Sequence, residues 1–138
     1  PLDSSCNSYF DDTVYEGSCT ASMAMNAAAD AGFFKEYLFT HFAGYQNIKK
    51  HYKEKSAMDI LDETRNEFDI DTAKIERFTR QFHNASGSKV ISSDIEFAEK
   101  LRISGTPTMY IAGREISGSP NRYIMEAIIK SELSGSRR

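Results

Sequence analysis

The sequence predicts an α/β domain: a helical body, a short β-hairpin and a last helix. Three observations carry that expectation. Apolar residues recur at helical spacing through residues 18–101. Residues 108–117, TMYIAGREIS, read as two short strands around a Gly-Arg turn. An amphipathic stretch then follows Asn121. At 138 residues the chain is one domain's worth, and 40% hydrophobic residues, with nine Phe and seven Tyr, supply a core.

Residues 1–17 hold turn formers (Asp3, Ser4, Ser5, Asn7, Asp11, Asp12, Gly17) and no sustained period, so they read as a loop. Ser18 is the expected N-cap of a first helix that runs to about Ala31, with Gly32 just beyond its end. Residues 33–42 form a second helical pattern in which aromatics outnumber charges. Gly44 and the Lys-rich residues 49–55 read as a solvated connection. Ser56 is the expected cap of a third helix, with Met58, Leu61, Thr64 and Phe68 facing inward. Asp71 caps a fourth, where Ile75, Phe78 and Phe82 stand at i, i+3 and i+7.

The Ser86-Gly87-Ser88 stretch is expected to break that helix, and a fifth then presents Ile91, Ile95, Ala98 and Leu101 as one stripe. In the hairpin, residues 108–112 form one strand, Gly113-Arg114 the turn and residues 115–117 the return. Asn121 opens the last helix, buried through Ile124, Ala127, Ile128 and Leu133. A lone two-stranded hairpin is marginal in water. The last helix covers one face, which leaves the other face and both edges without partners. The sheet therefore reads as incomplete, and a homodimer in which two chains complete each other's sheet is one way to cover it.

Composition excludes several function classes. Seventeen basic and twenty acidic side chains give a net charge of −3, with no basic stripe among aromatics, so nucleic acid is a poor partner. No apolar run reaches the roughly 18 residues of a membrane span. His41, His51 and His83 are scattered and form no ligand spacing. No metal cluster, phosphate loop or Ser/His/Asp set is present, and no cofactor is implied. Phe33, Phe34, Tyr37, Phe39 and Phe42, at helical spacing, read first as core and alternatively as a peptide-binding groove. Cys6 and Cys19 are too few for a disulfide scaffold or a zinc site and enough for one disulfide. Cys19 lies at a helix start, where unpaired N–H groups favour a thiolate.

Two groups of residues carry a resemblance. GTPTMYIAGREISG at residues 105–118, between two helices, resembles the C-terminal half of a thioredoxin fold, and more narrowly that of DsbA-like thiol–disulfide oxidoreductases. PLDSSCN at residues 1–7, with GSCTASMAMNAAADAGFF at 17–34, is similar to the DsbA-like proteins associated with bacterial vitamin K epoxide reductase homologues. The resemblance implies one domain over residues 1–138. Residues 56–101 would be the helical insertion and its return helix, and 105–133 the cis-proline loop, hairpin and last helix. It also implies dithiol–disulfide exchange with protein substrates in an extracytoplasmic compartment. A vitamin K epoxide reductase-like membrane protein would be the redox partner.

Under the resemblance the bond before Pro107 is cis, and Gly105, Thr106 and Pro107 shape the substrate-docking surface. Cys6 and Cys19 are then a disulfide, either a structural clamp on the N-terminal loop or an auxiliary redox pair. Such a bridge closes a loop of about 14 residues, worth roughly 3 kcal/mol in the chain-entropy account. The departure from the family is the catalytic Cys-x-x-Cys, which these residues lack. The expectation is therefore a piece of a longer polypeptide, with the first strand and catalytic helix upstream and no exchange by this chain alone. The alternative is a non-catalytic thioredoxin-like module that binds an extended peptide.

Overall fold

Four alanines decide how the N-terminal half packs. Ala24, Ala27, Ala28 and Ala31 recur at i, i+3, i+4 and i+7 on helix α1 (Ser18–Ala31) and are buried. Side chains this small let neighbouring helices approach closely. In the computed structural model, which describes residues 3–48, 52–84 and 86–135 without the side chains of 45–48 and 86–88, α1 packs against α2 (Phe34–Ile48), α3 (Glu54–Phe68) and α4 (Thr72–Phe82). Phe33, Tyr37, Tyr52, Ile60, Leu61, Phe78 and Phe82 fill the space around the alanine face. His51 lies outside the described residues.

The chain divides into two compact units, Pro1–Glu96 and Phe97–Arg138. Helix α5 (Ser86–Lys100) runs across the division, and the second unit holds β1 (Thr108–Ile111), β2 (Arg114–Ser117) and α6 (Arg122–Gly135). The strands pair antiparallel, Thr108 with Ser117 through Ile111 with Arg114. Among the described residues this is a two-stranded sheet with both outer edges unpaired. The described elements are thus five helices, a two-stranded hairpin and a last helix, an α/β order.

Several sequence expectations shift. Ser18 is the first residue of α1 rather than its cap; Gly17 holds that position at φ +82°. Helix α2 runs through Gly44 to Ile48, because packing on α1 and α3 outweighs the roughly 1 kcal/mol that glycine costs in a helix. Helix α3 starts at Glu54, and Ser56 sits in its first turn, where its hydroxyl accepts the Lys53 N–H at 3.3 Å. Its buried face is Ala57, Ile60, Leu61 and Thr64, leaving Phe68 exposed. Asp71 does cap α4, its Oδ1 accepting the Lys74 N–H at 2.9 Å.

The break after α4 falls at His83 and Asn84, and residues 86–88 open α5 instead. Serine and glycine cost little in a first turn, whose N–H groups have no helical partner anyway. In the hairpin the turn is Ala112-Gly113, one residue earlier than expected, with φ of +49° and +81°. Positive φ at both turn residues matches the twist of the flanking strands. Helix α6 departs most, since none of its residues is buried and Leu133 is 69% exposed. Asn121 caps it, its Oδ1 accepting the Ile124 N–H at 3.0 Å, and Glu132 pairs with Arg114 of β2 at 3.2 Å. A four-residue hairpin is too narrow to bury the apolar face of a 14-residue helix.

One polar feature crosses the core. The Tyr37 hydroxyl donates to the Ala57 carbonyl at 3.1 Å and lies 3.1 Å from the Tyr52 hydroxyl. Burial pushes both phenols above the ordinary value of 10.0. In the unfolded chain these groups lose protons near pH 10 while the folded chain keeps them, so stability is full below that pH and falls as pH rises past it. Tyr37→Phe removes the bond to the Ala57 carbonyl and takes from the buried Tyr52 hydroxyl its Tyr37 partner, for a loss of about 1–2 kcal/mol at neutral pH. Urea titrations at pH 7 and pH 10.5 check both; a Tyr37→Phe curve overlaying the native one at pH 7 rules out this hydrogen bond as a stabilising contact.

Candidate functional site

Asp3 organises the first candidate site. Its Oδ2 accepts the N–H of Gly17 at 3.0 Å and of Cys19 at 3.4 Å, and its Oδ1 accepts the Ser5 N–H at 3.0 Å and the Ser5 hydroxyl at 2.7 Å. A helix start leaves its first N–H groups without intrahelical partners. Here a carboxylate 14 positions upstream of Gly17 takes two of them. Burial alone would raise the Asp3 pKa; the bonds from Ser5, Cys19 and Gly17 outweigh it and hold the carboxyl below its ordinary value of 3.8.

The Asp3 carbonyl also accepts from the Cys6 and Asn7 N–H groups at 3.3 and 3.0 Å. One residue thereby fixes both ends of the loop that carries the cysteines. Cys6 and Cys19 are joined in a disulfide, which leaves no free cysteine among the described residues. Cys19 is buried, whereas Cys6 is partly exposed. The Ser5 hydroxyl, whose proton goes to Asp3 Oδ1, lies 3.2 Å from Cys19 Sγ. The Asp3 carbonyl lies 3.6 Å from the same sulfur, a contact rather than a bond, because a disulfide sulfur has no proton to give. A thiolate attacking the more accessible Cys6 Sγ would therefore release Cys19 at the helix start.

The second candidate site lies in the other compact unit. The Thr106–Pro107 peptide bond is cis. The Pro107 carbonyl accepts the Gly118 N–H at 2.8 Å, and the Thr108 hydroxyl donates to the Gly105 carbonyl at 2.7 Å, so the loop is fastened on both sides. Gly105, Thr106 and Pro107 are exposed. Thr106 between them makes no hydrogen bond among the described residues. On the strand that follows, the Tyr110 hydroxyl donates to Glu115 Oε2 at 2.9 Å, which raises the phenol's pKa.

The aromatic set of residues 33–42 divides in two. Phe33 and Tyr37 belong to the core, while Phe34, Phe39 and Phe42 are exposed. Among the described residues no group of three or more His, Cys, Asp or Glu is placed to hold a metal ion. No described helix is long and apolar enough to cross a membrane.

What sequence reasoning missed is the role of Asp3 and Ser5. In the sequence both read as turn formers, and nothing local to position 3 tells of an N–H donor 14 or 16 positions away. The available signal was negative: Gly17, at the start of α1, has no side chain with which to cap it.

The family profile described as "Thioredoxin" matches residues 6–131. A protein named Na(+)/H(+) antiporter NhaA 1, from Salinispora arenicola (strain CNS-205), is 29% identical over 117 residues, which is 85% of this chain and 16% of that protein. Another, Na(+)/H(+) antiporter NhaA 3 from Salinispora tropica (strain ATCC BAA-916), is 27% identical over 117 residues, with the same coverage. The chain thus spans about a sixth of the length of these curated relatives. No solved structure matches it. The profile runs from the first cysteine through the hairpin into α6, and the chain belongs to the thioredoxin family.

Proposed function

We propose that this chain is part of a DsbA-like thiol–disulfide oxidoreductase that acts on protein substrates outside the cytoplasm. The supporting observation is that a single thioredoxin-family match, over residues 6–131, takes in both the disulfide and the Gly105-Thr106-Pro107 loop. In exchange of this type a thiolate attacks a disulfide sulfur, a mixed disulfide forms and the second sulfur leaves as a thiolate. The attacking pair would be a Cys-x-x-Cys upstream of these residues. Thr106, which makes no hydrogen bond among the described residues, would receive the substrate as an added extended segment. The Cys6–Cys19 bridge is then a structural clamp, and its oxidised state suits an oxidising compartment. A vitamin K epoxide reductase-like membrane protein would reset the catalytic pair.

A second reading is favoured by the relatives' names: a thioredoxin-family domain carried by a sodium–proton antiporter. The coding sequence on either side of these residues separates the two. An upstream strand with Cys-x-x-Cys supports the enzyme, an adjoining transporter supports the second reading, and neither supports a peptide-binding module. Insulin reduction tests the activity. These 138 residues alone should give little or no turnover, and the longer polypeptide with its Cys-x-x-Cys should give robust turnover. Robust reduction by the 138 residues that is lost in Cys19→Ala overturns the proposal, because the chemistry would then belong to the clamp.

A further inference from the structure

A cavity in the N-terminal unit belongs to neither candidate site. Its volume is about 480 Å3, within the roughly 300–1,000 Å3 typical of ligand sites. Four of its lining residues are aromatic: Tyr15, His41, Phe42 and Tyr52. The His41 ring centroid lies 5.4 Å from that of Phe42 and 5.4 Å from that of Tyr52, so three of the rings form a continuous wall. Two carboxylates, Glu16 and Asp94, also line it, and among the described residues no lysine or arginine does. Ser18 completes the set: its hydroxyl is buried and has no hydrogen-bond partner among the described residues. Buried polar groups are nearly always paired, so an unpaired hydroxyl in a cavity wall calls for a partner.

Each class of occupant meets a different fate here. An anion would face two carboxylates and the negative faces of the rings. A bare metal ion would find too few ligands. A purely apolar molecule would suit the rings and leave the Ser18 hydroxyl buried and unpaired. An organic cation uses every feature, because aromatic faces attract cations, carboxylates neutralise them and the serine oxygen accepts an N–H. Burial lowers the His41 pKa, so that ring stands as a neutral wall and not as a competing charge.

We propose that this cavity binds an organic cation on an apolar stem, a guanidinium or alkylammonium group flanked by methylenes. The group is either a free small molecule or the basic side chain of a partner protein. Binding here is independent of the exchange chemistry proposed above and does not need the upstream cysteines.

The test is a titration of the isotope-labelled chain followed by amide NMR shifts, with three probes. These are n-butylguanidinium, the blocked peptide Ala-Leu-Arg-Leu-Ala, and the same peptide with norleucine for arginine. Both cationic probes should shift the amides of Ser18, Ser22 and Asp94, and the norleucine peptide should not. The double variant Glu16→Gln/Asp94→Asn should weaken binding by about tenfold, as loss of two partly solvated ion pairs implies. Phe42→Ala should weaken it about three- to fivefold through the lost cation–π contact. Glu16, Asp94 and Phe42 are all exposed, so these variants should fold as the parent does. Tighter binding of the arginine peptide than of butylguanidinium supports the proposal with a partner's side chain as the source, and equal or weaker binding supports it with a small cation. Equal binding of the norleucine peptide, undiminished binding by the carboxamide variant, or no shifts with either cation overturns it.

Discussion

Phe78→Ala lowers the unfolding free energy by about 3–5 kcal/mol, the usual cost of deleting a fully buried phenyl ring. Phe78 has no exposed surface, and its ring lies 5.3 Å from Tyr37, 5.8 Å from Phe33 and 5.8 Å from Phe82. These partners come from α2, α4 and the α1–α2 junction, so the void cannot be closed by moving one element. With a urea slope of about 1–3 kcal/mol/M, the midpoint falls by more than roughly 1 M. Phe39→Ala is the control. That ring is 55% exposed and meets Lys35 Nζ at 5.7 Å, so its loss costs no more than about 1 kcal/mol. Equal losses in the two variants mean that the aromatic core is not centred on Phe78.

Replacing both cysteines with alanine should cost about 3 kcal/mol, from freeing a loop whose ends are 13 positions apart. The same loss should follow reduction of the native chain, and the double variant should be indifferent to reductant. With the bridge gone, Asp3 remains as the tie between loop and helix. Its folded pKa is held below 3.8, so its contribution is fully present above that pH and is lost as pH falls below it. Urea midpoints at pH 7 and pH 3, with and without reductant, separate the two ties. A double variant as stable as the native chain at pH 7 shows that the Asp3 bonds suffice and that the clamp has no structural role.

Much of the helical body was legible because it follows from local periodicity. Asp71 announces α4, and the 75–78–82 spacing places Phe78 and Phe82 in the core. The hairpin was legible from turn chemistry, to within the one residue by which Ala112-Gly113 displaces Gly113-Arg114. Helix boundaries were less so, since α2 crosses Gly44 on tertiary contacts invisible in the sequence. Burial of α6 was misread for a related reason: its pattern promises a covered face, but burial depends on what lies against it. Of the candidate sites, the cysteines and the Gly105-Thr106-Pro107 loop could be named from the sequence, whereas the Asp3 cap joins positions 14 and 16 apart and the cavity joins segments tens of residues apart.

Gly17 sets the spacing of that N-terminal region. A methyl group at this position would fall on the carbonyl oxygen of Tyr52, 35 positions away, and its φ of +82° already resists any other L-residue. The glycine acts as a shim of zero thickness between two strands of traffic: the loop that carries the disulfide and the chain that leads into α3. Widening it by one carbon pushes on Tyr52, which reaches Tyr37 through their paired hydroxyls and His41 through ring contact. A single lesion at position 17 would be felt in the loop, the cavity wall and the core at once.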